Sequence, residues 1–512
     1  MVEFQPSKLV VRVRFSSPAL CAVGGGLHAC LPDAGARRAP LLLGCAFLSA
    51  VRIIGMTDAQ LIRDAVAKSS DRFLDHLNQA CAIPSVATEG MGTEMTAWLE
   101  KRLLELGAKV SRLSVPGSPE ALLGEFAGSD PSRTLMIYDH YDVQPVDPLN
   151  LWISPPFEPA IRDGRLYARG AADNKGDLIA RLSALEVYRE LNGELPYNIK
   201  FFIEGEEENG SVHFESICEA YSEELKADDC VWEGGWMDLD GRPEMYYGCK
   251  GLLYIELRCR AITGDQHSSI AVYAPSAAWH LLRAINSFKD GEGNVVIEGF
   301  HDKIVPPGPR EDGLIQNIKF NEEAMLKRLG ITEFNQRLTG SALTHALLYA
   351  PTANIDGFET GYTVPGGQKT VLPAEAMAKI DFRLVPDQDG TEIAGLVRKH
   401  LKDHGFGDIE VSVMSHENPS RSPLDSTLGR AAEKAAAGWF EDAVTIYPYM
   451  WATGPMFPIA QGLGIPICSP PGVGRPDSNL HAPNEHVHVA DFYDIIGYTV
   501  AYLEEYGRTD PD

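Results

Sequence analysis

The sequence lacks any run of about twenty apolar residues, the length that a membrane-spanning helix needs. Its nine cysteines include no CxxC pair and no even framework of spacings. Scattered cysteines of this kind favour a reducing compartment, so we expect a cytoplasmic protein. The sequence also contains neither a P-loop nor a GxSxG motif, which argues against a phosphate-binding loop of that type and against a serine nucleophile elbow.

Basic residues are in deficit. The chain has 45 Lys and Arg against 71 Asp and Glu, which gives a formal net charge of −26. A strongly acidic protein is a poor partner for nucleic acid or an anionic membrane, so we expect neither. The 512 residues exceed what one hydrophobic core usually accommodates, and two or three domains are expected.

The first 55 residues differ from the rest, because they contain six Lys and Arg but only two acids. Their apolar run from Ala39 to Val51 follows Arg37-Arg38, an order typical of a signal peptide. However, this run comes late, and no clear cleavage site of small residues follows it. We therefore expect residues 1–55 to be a non-native or disordered extension upstream of Met56, with a signal peptide as the alternative.

Acids and histidines recur at strand ends and in turns. They lie in His140-Tyr-Asp142 after the strand-like Thr134–Asp139, in Glu206-Glu-Glu208 after Ile199–Ile203, at Glu233 after Asp229–Trp232, at Asp173 in the glycine-bounded Arg169–Gly176, and at His481. Ligands of open α/β sheets bind beyond the carboxyl ends of the strands, so these side chains are expected to converge. Histidine with several carboxylates suits zinc, manganese or cobalt, which predicts a metallohydrolase.

The order of predicted elements indicates two architectures. Between residues 56 and 247 strands alternate with helices, which predicts an α/β domain with a mainly parallel sheet. After Gly248 a strand, a helix, a long loop-rich stretch ending near Gly367, and then a strand, a helix and a strand predict an α+β sandwich. We therefore expect an inserted domain at 248–418 and a second catalytic segment at 419–512.

Four motifs in fixed order resemble the M20 metallopeptidases. They are His140-Tyr-Asp-Val-Gln-Pro145, Gly170-Ala-Ala-Asp-Asn-Lys-Gly176, Glu204-Gly-Glu-Glu-Glu-Asn-Gly-Ser211 and His481-Ala-Pro-Asn-Glu485. The resemblance runs from about Met56 to the C-terminus. The first motif and Lys369-Thr-Val-Leu-Pro-Ala374 most resemble the carnosinase-like dipeptidases within a family that also includes glutamate carboxypeptidases, aminoacylases and desuccinylases.

The resemblance implies two Zn²⁺ ions per subunit, for which Mn²⁺ or Co²⁺ can substitute. The implied metal ligands are His140, Asp173, Glu208, Glu233 and His481. Asp173 would bridge the ions, with His140 and Glu233 on one and His481 and Glu208 on the other. A water held between the ions would attack the scissile carbonyl. A cis peptide is implied between Asp173 and Asn174.

The resemblance also implies roles for residues that bind no metal. Glu207 would be the general base, with the working pair placed directly before Asn209 and Glu206 left as a supporting acid. Asp142 would orient the imidazole of His140.

The inserted segment resembles the family's dimerisation lid. It implies a homodimer in which His267 reaches the partner's active site and stabilises the oxyanion. Arg383 would bind the substrate carboxylate, and Gly454 would contact the substrate through its backbone. Two departures concern specificity: Ser268-Ser269 replaces the usual Ser-Gly, and Thr453-Gly-Pro455 replaces a Gly-Gly-Ser loop.

The expected activity is metal-dependent cleavage of dipeptides or short peptides that carry a free C-terminal carboxylate. An N-acyl-amino-acid deacylase or desuccinylase on the same scaffold is the alternative, because both reactions split an amide with the same residues. A non-catalytic metal-binding protein is a more distant alternative, and the intact Glu207 argues against it.

Overall fold

The computed structural model describes residues 59–88 and 92–511. Both interpretations of residues 1–55 therefore lie outside the described residues. Within the described ranges no helix combines the length and the apolar character needed to cross a bilayer. The six cysteines in these ranges are all buried and form no disulfide.

The helices account for much of the described chain. They are α1 Ala59–Ala82, α2 Thr93–Glu105, α3 Lys175–Asn192, α4 Phe214–Ala220, α5 Ala277–Asn286, α6 Pro309–Asn317, α7 Glu322–Leu329, α8 Gly340–Tyr349, α9 Gly390–Asp403, α10 Thr427–Trp439 and α11 Val489–Arg508. Apolar residues at helical spacing form α1, whose buried face includes Ile62, Val66, Phe73 and Leu77.

The strands are short and lie between the helices. They are β1 Lys109–Leu113, β2 Ala121–Phe126, β3 Asp130–His140, β4 Ala160–Arg162, β5 Arg165–Tyr167, β6 Tyr197–Glu204, β7 Asp229–Val231, β8 Trp236–Met237, β9 Pro243–Tyr246, β10 Gly248–Cys249, β11 Gly251–Arg260, β12 Gln266–His267, β13 Thr352–Thr360, β14 Val371–Leu372, β15 Glu375–Leu384, β16 Glu410–Glu417, β17 Ser420–Arg421, β18 Thr445–Tyr447, β19 Ile467–Cys468 and β20 His486–His488.

The central sheet has six strands in the order β1-β2-β6-β3-β7-β19. Strands β6, β3, β7 and β19 are parallel, whereas β2 runs antiparallel to both of its neighbours. The sheet is therefore mainly parallel, as predicted, with one reversed strand. Because β6, β3 and β7 are adjacent, their carboxyl ends meet at one edge of the sheet.

Side chains of the central sheet divide between two cores. Leu135 and Ile137 of β3 belong to the core that α1, α3, α10 and α11 cover. Met136 and Tyr138 of the same strand belong to the opposite core, which includes Phe214 of α4. This alternation follows from the two-residue period of a strand, and burial on both faces explains why β3 reads as a nearly continuous apolar run.

A second, four-stranded sheet has the order β13-β15-β11-β16, and all its pairings are antiparallel. Helices α5 and α9 pack on it and share its hydrophobic core. Strand β11 alternates between buried and partly exposed residues, as expected when one face of a sheet is covered. This unit is the predicted α+β sandwich.

The prediction of a loop-rich stretch before Gly367 was wrong. It contains helices α6, α7 and α8 and the edge strand β13. Each helix has only eight to ten residues, too short for a clear apolar period. Strand β13 is mostly exposed and shifts register between Ile355 and Gly357, so its alternation is also hidden.

The chain crosses between the two sheets at adjacent points. Strand β10, at Gly248–Cys249, pairs with β17, at Ser420–Arg421. These strands lie close to the predicted boundaries at 248 and 418, which stay a prediction.

Candidate metal centre

Three neighbouring strands deliver the acidic and imidazole side chains to one edge of the central sheet. His140 is the last residue of β3, and Glu233 follows β7 by two residues. After β6 the chain forms a single 3₁₀ turn at Glu207–Asn209. The predicted convergence at the carboxyl ends of the strands is thus present.

Asp173 lies in the turn before α3, and its peptide bond to Asn174 is cis, as the resemblance implies. The turn is held by the buried carboxylate of Glu485, which accepts the backbone N–H groups of Gly170 and Ala172, each at 2.9 Å, and of Asp173 at 3.1 Å. The same carboxylate accepts a hydrogen bond from Arg169 at 2.7 Å. Glu485 ends the last of the four motifs, but no role was predicted for it from the sequence because its partners lie more than 300 residues away.

The carboxylate of Asp173 faces both histidines. Its Oδ1 lies 3.1 Å from Nε2 of His140, and its Oδ2 lies 3.1 Å from Nε2 of His481. Glu233 Oε2 lies 3.3 Å from Nε2 of His140, and Glu208 Oε2 lies 3.2 Å from Nε2 of His481. The five predicted ligands therefore form two groups that share Asp173.

Glu207 lies beside the group of His140 and Glu233. Its Oε2 is 4.0 Å from Nε2 of His140, and with His140 and Glu233 it offers three ligand atoms within 4.8 Å of one another. A second such trio consists of Asp173, Glu208 and His481. Distance alone would thus allow Glu207 to be a ligand as well as a base.

The electrostatics favour a cation at this place. Burial, followed by repulsion from Glu233, raises the pKa of Glu207 well above its usual range. Burial and the neighbouring Asp173 likewise raise the pKa of Glu208 and of Glu233. Burial opposes a charge on His140, but its carboxylate neighbours, led by Glu233, raise its pKa. These buried carboxylates repel one another when they are ionised, and a divalent metal ion would compensate their charge. Carboxylates together with two imidazoles are ligands that suit such an ion.

Asp142 and Gln144 position the turn that carries Glu207 and Glu208. The carboxylate of Asp142 lies 3.3 Å from Nδ1 of His140 and accepts the backbone N–H groups of Glu207 at 3.2 Å and Glu208 at 3.0 Å. The side-chain amide of Gln144 donates to Oε2 of Glu208 at 2.9 Å. The backbone carbonyl of Asp142 lies 3.1 Å from the same Nδ1, so the imidazole has two neighbouring acceptors.

The remaining acid of the run, Glu206, contacts His213. Glu206 accepts the backbone N–H of His213 at 2.6 Å, and its other oxygen lies 3.0 Å from Nδ1 of that residue. Glu206 therefore lies outside the two ligand groups. Its role as a supporting acid stays a prediction.

A buried hydrogen-bond network, which the sequence did not reveal, supports Glu233 and the end of β3. Arg181 donates to Oδ1 of Asp139 at 2.6 Å, and Asn174 donates to the same oxygen at 2.9 Å and to Glu233 at 3.3 Å. The charges on α3 and β3 thus compensate one another beneath the ligands. The only available signal was polar residues within otherwise apolar elements.

Arg383 and the loop at Gly454 lie together. Arg383 Nη1 donates to Oγ1 of Thr453 at 2.7 Å, and its side chain is 39% exposed. Beside it, burial raises the pKa of Glu417 to about 7, although Arg383 opposes the shift. A Cβ at Gly210, which directly follows the turn at Glu207–Asn209, would lie 3.7 Å from Oε1 of Glu417. The second sheet therefore contributes Glu417 beside the loop of Glu207 and Glu208, and Arg383 lies near this acid.

His267 has no contact with the two ligand groups among the described residues. It is exposed, and its ring nitrogens lie 2.9 Å from Oγ of Ser269 and 3.3 Å from Oγ1 of Thr370. A single chain therefore does not bring His267 to the centre.

The sequence matches the profile of a known protein family. Residues 136–505 match the profile of peptidase family M20/M25/M40. The chain belongs to this family. The matched segment includes the predicted metal ligands and the inserted sheet, whereas α1, α2, β1 and β2 precede it.

Curated relatives of the M20 chain are dipeptidases. The Beta-Ala-His dipeptidase of Homo sapiens is 30% identical over 420 residues, covering 76% of this chain and 81% of that protein. The Cys-Gly metallodipeptidase dug1 of Schizosaccharomyces pombe is 27% identical over 483 residues, covering 88% of this chain and 98% of that protein. The chain is thus a peptidase enzyme of family M20.

A solved structure with the same fold is that of Sso-CP2, an M20 family metallo-carboxypeptidase from Sulfolobus solfataricus. It superimposes with a TM-score of 0.80 at 38% sequence identity, covering 85% of this chain and 99% of that one. The mixed α/β fold is therefore the M20 peptidase fold.

Proposed function

We propose that this chain is a dinuclear metal-dependent dipeptidase that hydrolyses dipeptides or short peptides with a free C-terminal carboxylate. The observation that carries the proposal is the position of Asp173, which directs one oxygen toward each histidine at 3.1 Å. A carboxylate placed in this way suits a bridge between two cations, because it lowers the repulsion between them.

The donor set fits two zinc ions. His140 and Glu233 would hold one ion, His481 and Glu208 the other, and Asp173 would bridge them. When bound, the ions supply Lewis acidity that polarises the scissile carbonyl and lowers the pKa of water at the site. Mn²⁺ and Co²⁺ accept the same nitrogen and oxygen donors.

Glu207 is the proposed general base. It would accept the proton of the attacking water and return it to the leaving nitrogen. Two features support this role. Its neighbours Glu206 and Glu208 are engaged by His213 and Gln144, and the contact from Asp142 to its backbone amide holds the turn in place.

Arg383 is proposed to bind the C-terminal carboxylate of the substrate. The guanidinium is only partly exposed and is oriented by Thr453, so its remaining N–H groups form a preorganised fork. A dipeptidase and a carboxypeptidase share the need to recognise this carboxylate, and relatives of both kinds match the chain. Gly454, next to Thr453, is proposed to contact the substrate through its backbone.

We further propose a homodimer through the inserted domain, which would act as a lid. His267 would enter the partner subunit's site and stabilise the oxyanion of the tetrahedral intermediate. Its exposure, and the absence of a contact with the predicted ligands among the described residues, support a role in trans. No nucleic-acid or membrane partner is proposed, and the cytoplasmic location stays a prediction.

The alternative is a deacylase that acts on N-acyl amino acids. The same metals and the same base would serve it, because both reactions cleave an amide. The names of the matched relatives favour the peptidase, and the pair of Glu417 and Arg383 offers opposite charges that suit a zwitterionic dipeptide.

The test is turnover by metal-loaded protein of mixed dipeptides and matched N-acetyl amino acids, followed by mass spectrometry. We expect hydrolysis of dipeptides that chelation abolishes and zinc, manganese or cobalt restores. Turnover of the acylated set alone would move the protein to the deacylases. No turnover of either set by folded, metal-loaded protein would refute the proposal.

A further inference from the structure

A second cluster of metal-binding side chains lies beside the His481 loop. Strand β20 pairs antiparallel with β5, so that His486 lies opposite Tyr167 and His488 opposite Arg165. The two histidines are two residues apart on one strand and therefore share a face. Asp477 reaches them from the loop before His481, and each of the three offers a ligand atom within 4.8 Å of the others.

One ring nitrogen of His486 is available for metal binding in the described part of the chain. Its Nδ1 lies 3.1 Å from the backbone carbonyl of Asn484, which can only accept a hydrogen bond, so this nitrogen carries the proton. Nε2 is then the unprotonated nitrogen. This atom is buried and has no hydrogen-bond partner among the described residues, in a residue that is only 4% exposed. A backbone carbonyl that fixes the tautomer is the usual support of a metal-binding histidine.

Asp477 also has an unused buried acceptor. Its Oδ1 is buried and has no hydrogen-bond partner in the described part of the chain. Its Oδ2 lies 3.8 Å from Nε2 of His488. An unsatisfied buried imidazole nitrogen and an unsatisfied carboxylate oxygen each cost free energy unless they acquire a partner, and a cation would satisfy both at once.

We propose that Asp477, His486 and His488 form a third metal site that binds a divalent transition ion such as zinc or cobalt. Two imidazoles and one carboxylate are a donor set for such ions. A tetrahedral zinc ion would require the ligand atoms to approach to roughly 3.3 Å of one another. Asp477 and His488 are partly exposed and can make this adjustment.

Arg165 competes for the same acceptors. Its Nη2 donates to Oδ2 of Asp477 at 3.2 Å, and its Nε donates to Nε2 of His488 at 3.3 Å. The Arg165 side chain is 35% exposed, so it can turn toward solvent when the ion binds. The arginine therefore sets the affinity of the site, because its charge and its hydrogen bonds must be displaced.

The site would restrain the loop that carries His481. Asp477 lies before the loop and His486 after it, and the backbone N–H of His486 already donates to the carbonyl of Ser478 at 3.0 Å. An ion shared by both ends would limit the movement of the loop. Occupancy is therefore expected to protect the His481 loop from proteolysis and hydrogen exchange.

The experiment counts metal ions in the full-length chain. Chelator-stripped wild type, Asp477→Asn and His488→Gln are titrated with Zn²⁺ and desalted, and bound zinc is measured by inductively coupled plasma mass spectrometry. We expect each variant to bind one equivalent less than wild type. Dipeptide turnover at saturating zinc should remain within about twofold of wild type, because neither residue belongs to the catalytic centre. His280→Gln is the control, since His280 forms an exposed pair with Asp408 at 2.8 Å.

Arg165→Gln gives the opposite test. Removing the competing cation should tighten binding of the additional ion by about tenfold or more, measured by Co²⁺ titration and visible absorption. The proposal is wrong if two results are obtained together: wild type, Asp477→Asn and His488→Gln bind the same number of ions, and Arg165→Gln binds Co²⁺ no more tightly than wild type. The cluster would then be an ion-pair network only. The difference between variants does not depend on catalysis, so failure here leaves the dipeptidase proposal intact.

Discussion

The carboxylate of Glu485 accepts the backbone N–H of Asp173 at 3.1 Å, so the last motif of the sequence holds the residue that bridges the two ligand groups. Glu485 is 1% exposed and also pairs with Arg169. Its position indicates that Glu485 orients a ligand without binding metal itself, as buried acceptors around metal sites do.

Glu485→Gln should weaken zinc binding by about 10- to 100-fold, because the turn of Asp173 loses its charged acceptor. Removing one partner of the buried Arg169 pair should also lower the free energy of unfolding by about 3 kcal/mol. Zinc competition titration and urea unfolding measure the two effects. Glu186→Gln is the control, since Glu186 pairs with Arg72 and Arg102 away from the centre. Equal zinc affinity in both variants would exclude the positioning role.

Glu207→Gln should reduce kcat by about 10²- to 10⁴-fold and leave two zinc ions bound, because an amide cannot accept the proton. The adjacent Glu206→Gln is a matched control. Its carboxylate serves His213, so we expect kcat within a few-fold of wild type and some loss of stability. If Glu207→Gln instead loses a zinc ion, Glu207 is a ligand, which its distance to His140 would also allow.

The metal-free protein should become less stable as the pH rises from about 6.5 to about 10. Hydrogen bonds to Asp173 and then Glu208 raise the pKa of His481 to about 10. A histidine whose pKa is raised on folding stabilises the folded state fully below its unfolded pKa, and this contribution is lost as the pH rises through the folded value.

The free energy of unfolding should decrease only slightly with pH, since the His481 side chain is 55% exposed and solvent screens its interactions. Urea unfolding of chelator-treated wild type and His481→Gln at several pH values measures it. The variant should show a smaller decline within this window, because the raised pKa of His140 contributes to the decline in both proteins. Parallel curves for the two proteins would show that His481 is not coupled to the acids.

Arg383→Lys should raise KM for dipeptides by about tenfold and change kcat less, because lysine keeps the charge but loses the planar fork. Dipeptide amides, which lack the carboxylate, should be poor substrates for wild type and should not be affected further by the substitution. Arg421→Lys, at a surface pair with Asp387, is the control. A similar KM increase for acids and amides would indicate a structural effect.

Two inactive variants should complement each other if His267 acts in trans. When Glu207→Gln and His267→Ala chains are mixed and allowed to exchange, each mixed dimer contains one intact site. About a quarter of wild-type activity is expected from random pairing of equal amounts. No recovery, with exchange verified by native mass spectrometry, would place His267 outside the partner's site.

Much of the catalytic segment could be predicted because its signals are local. The strand that ends at His140 is buried on both faces, so its apolar run and the polar residues after it mark both the element and its end. The three short helices and β13 could not be predicted, because exposed residues and a register shift conceal their periodicity. Helices α6 and α8 also pack against residues distant in the chain, such as Tyr246 and Tyr447.

The sequence by itself determined which residue types could bind metal, the strand ends that present them, and the presence of a second α+β unit. Only the tertiary structure decided that Glu485 holds the turn of Asp173, that Glu206 turns to His213, and that Nε2 of His486 has no partner within residues 59–88 and 92–511. Periodicity reports the local conformation of a segment. The partner of a buried polar group is chosen by long-range packing and hydrogen bonding, which local sequence does not specify.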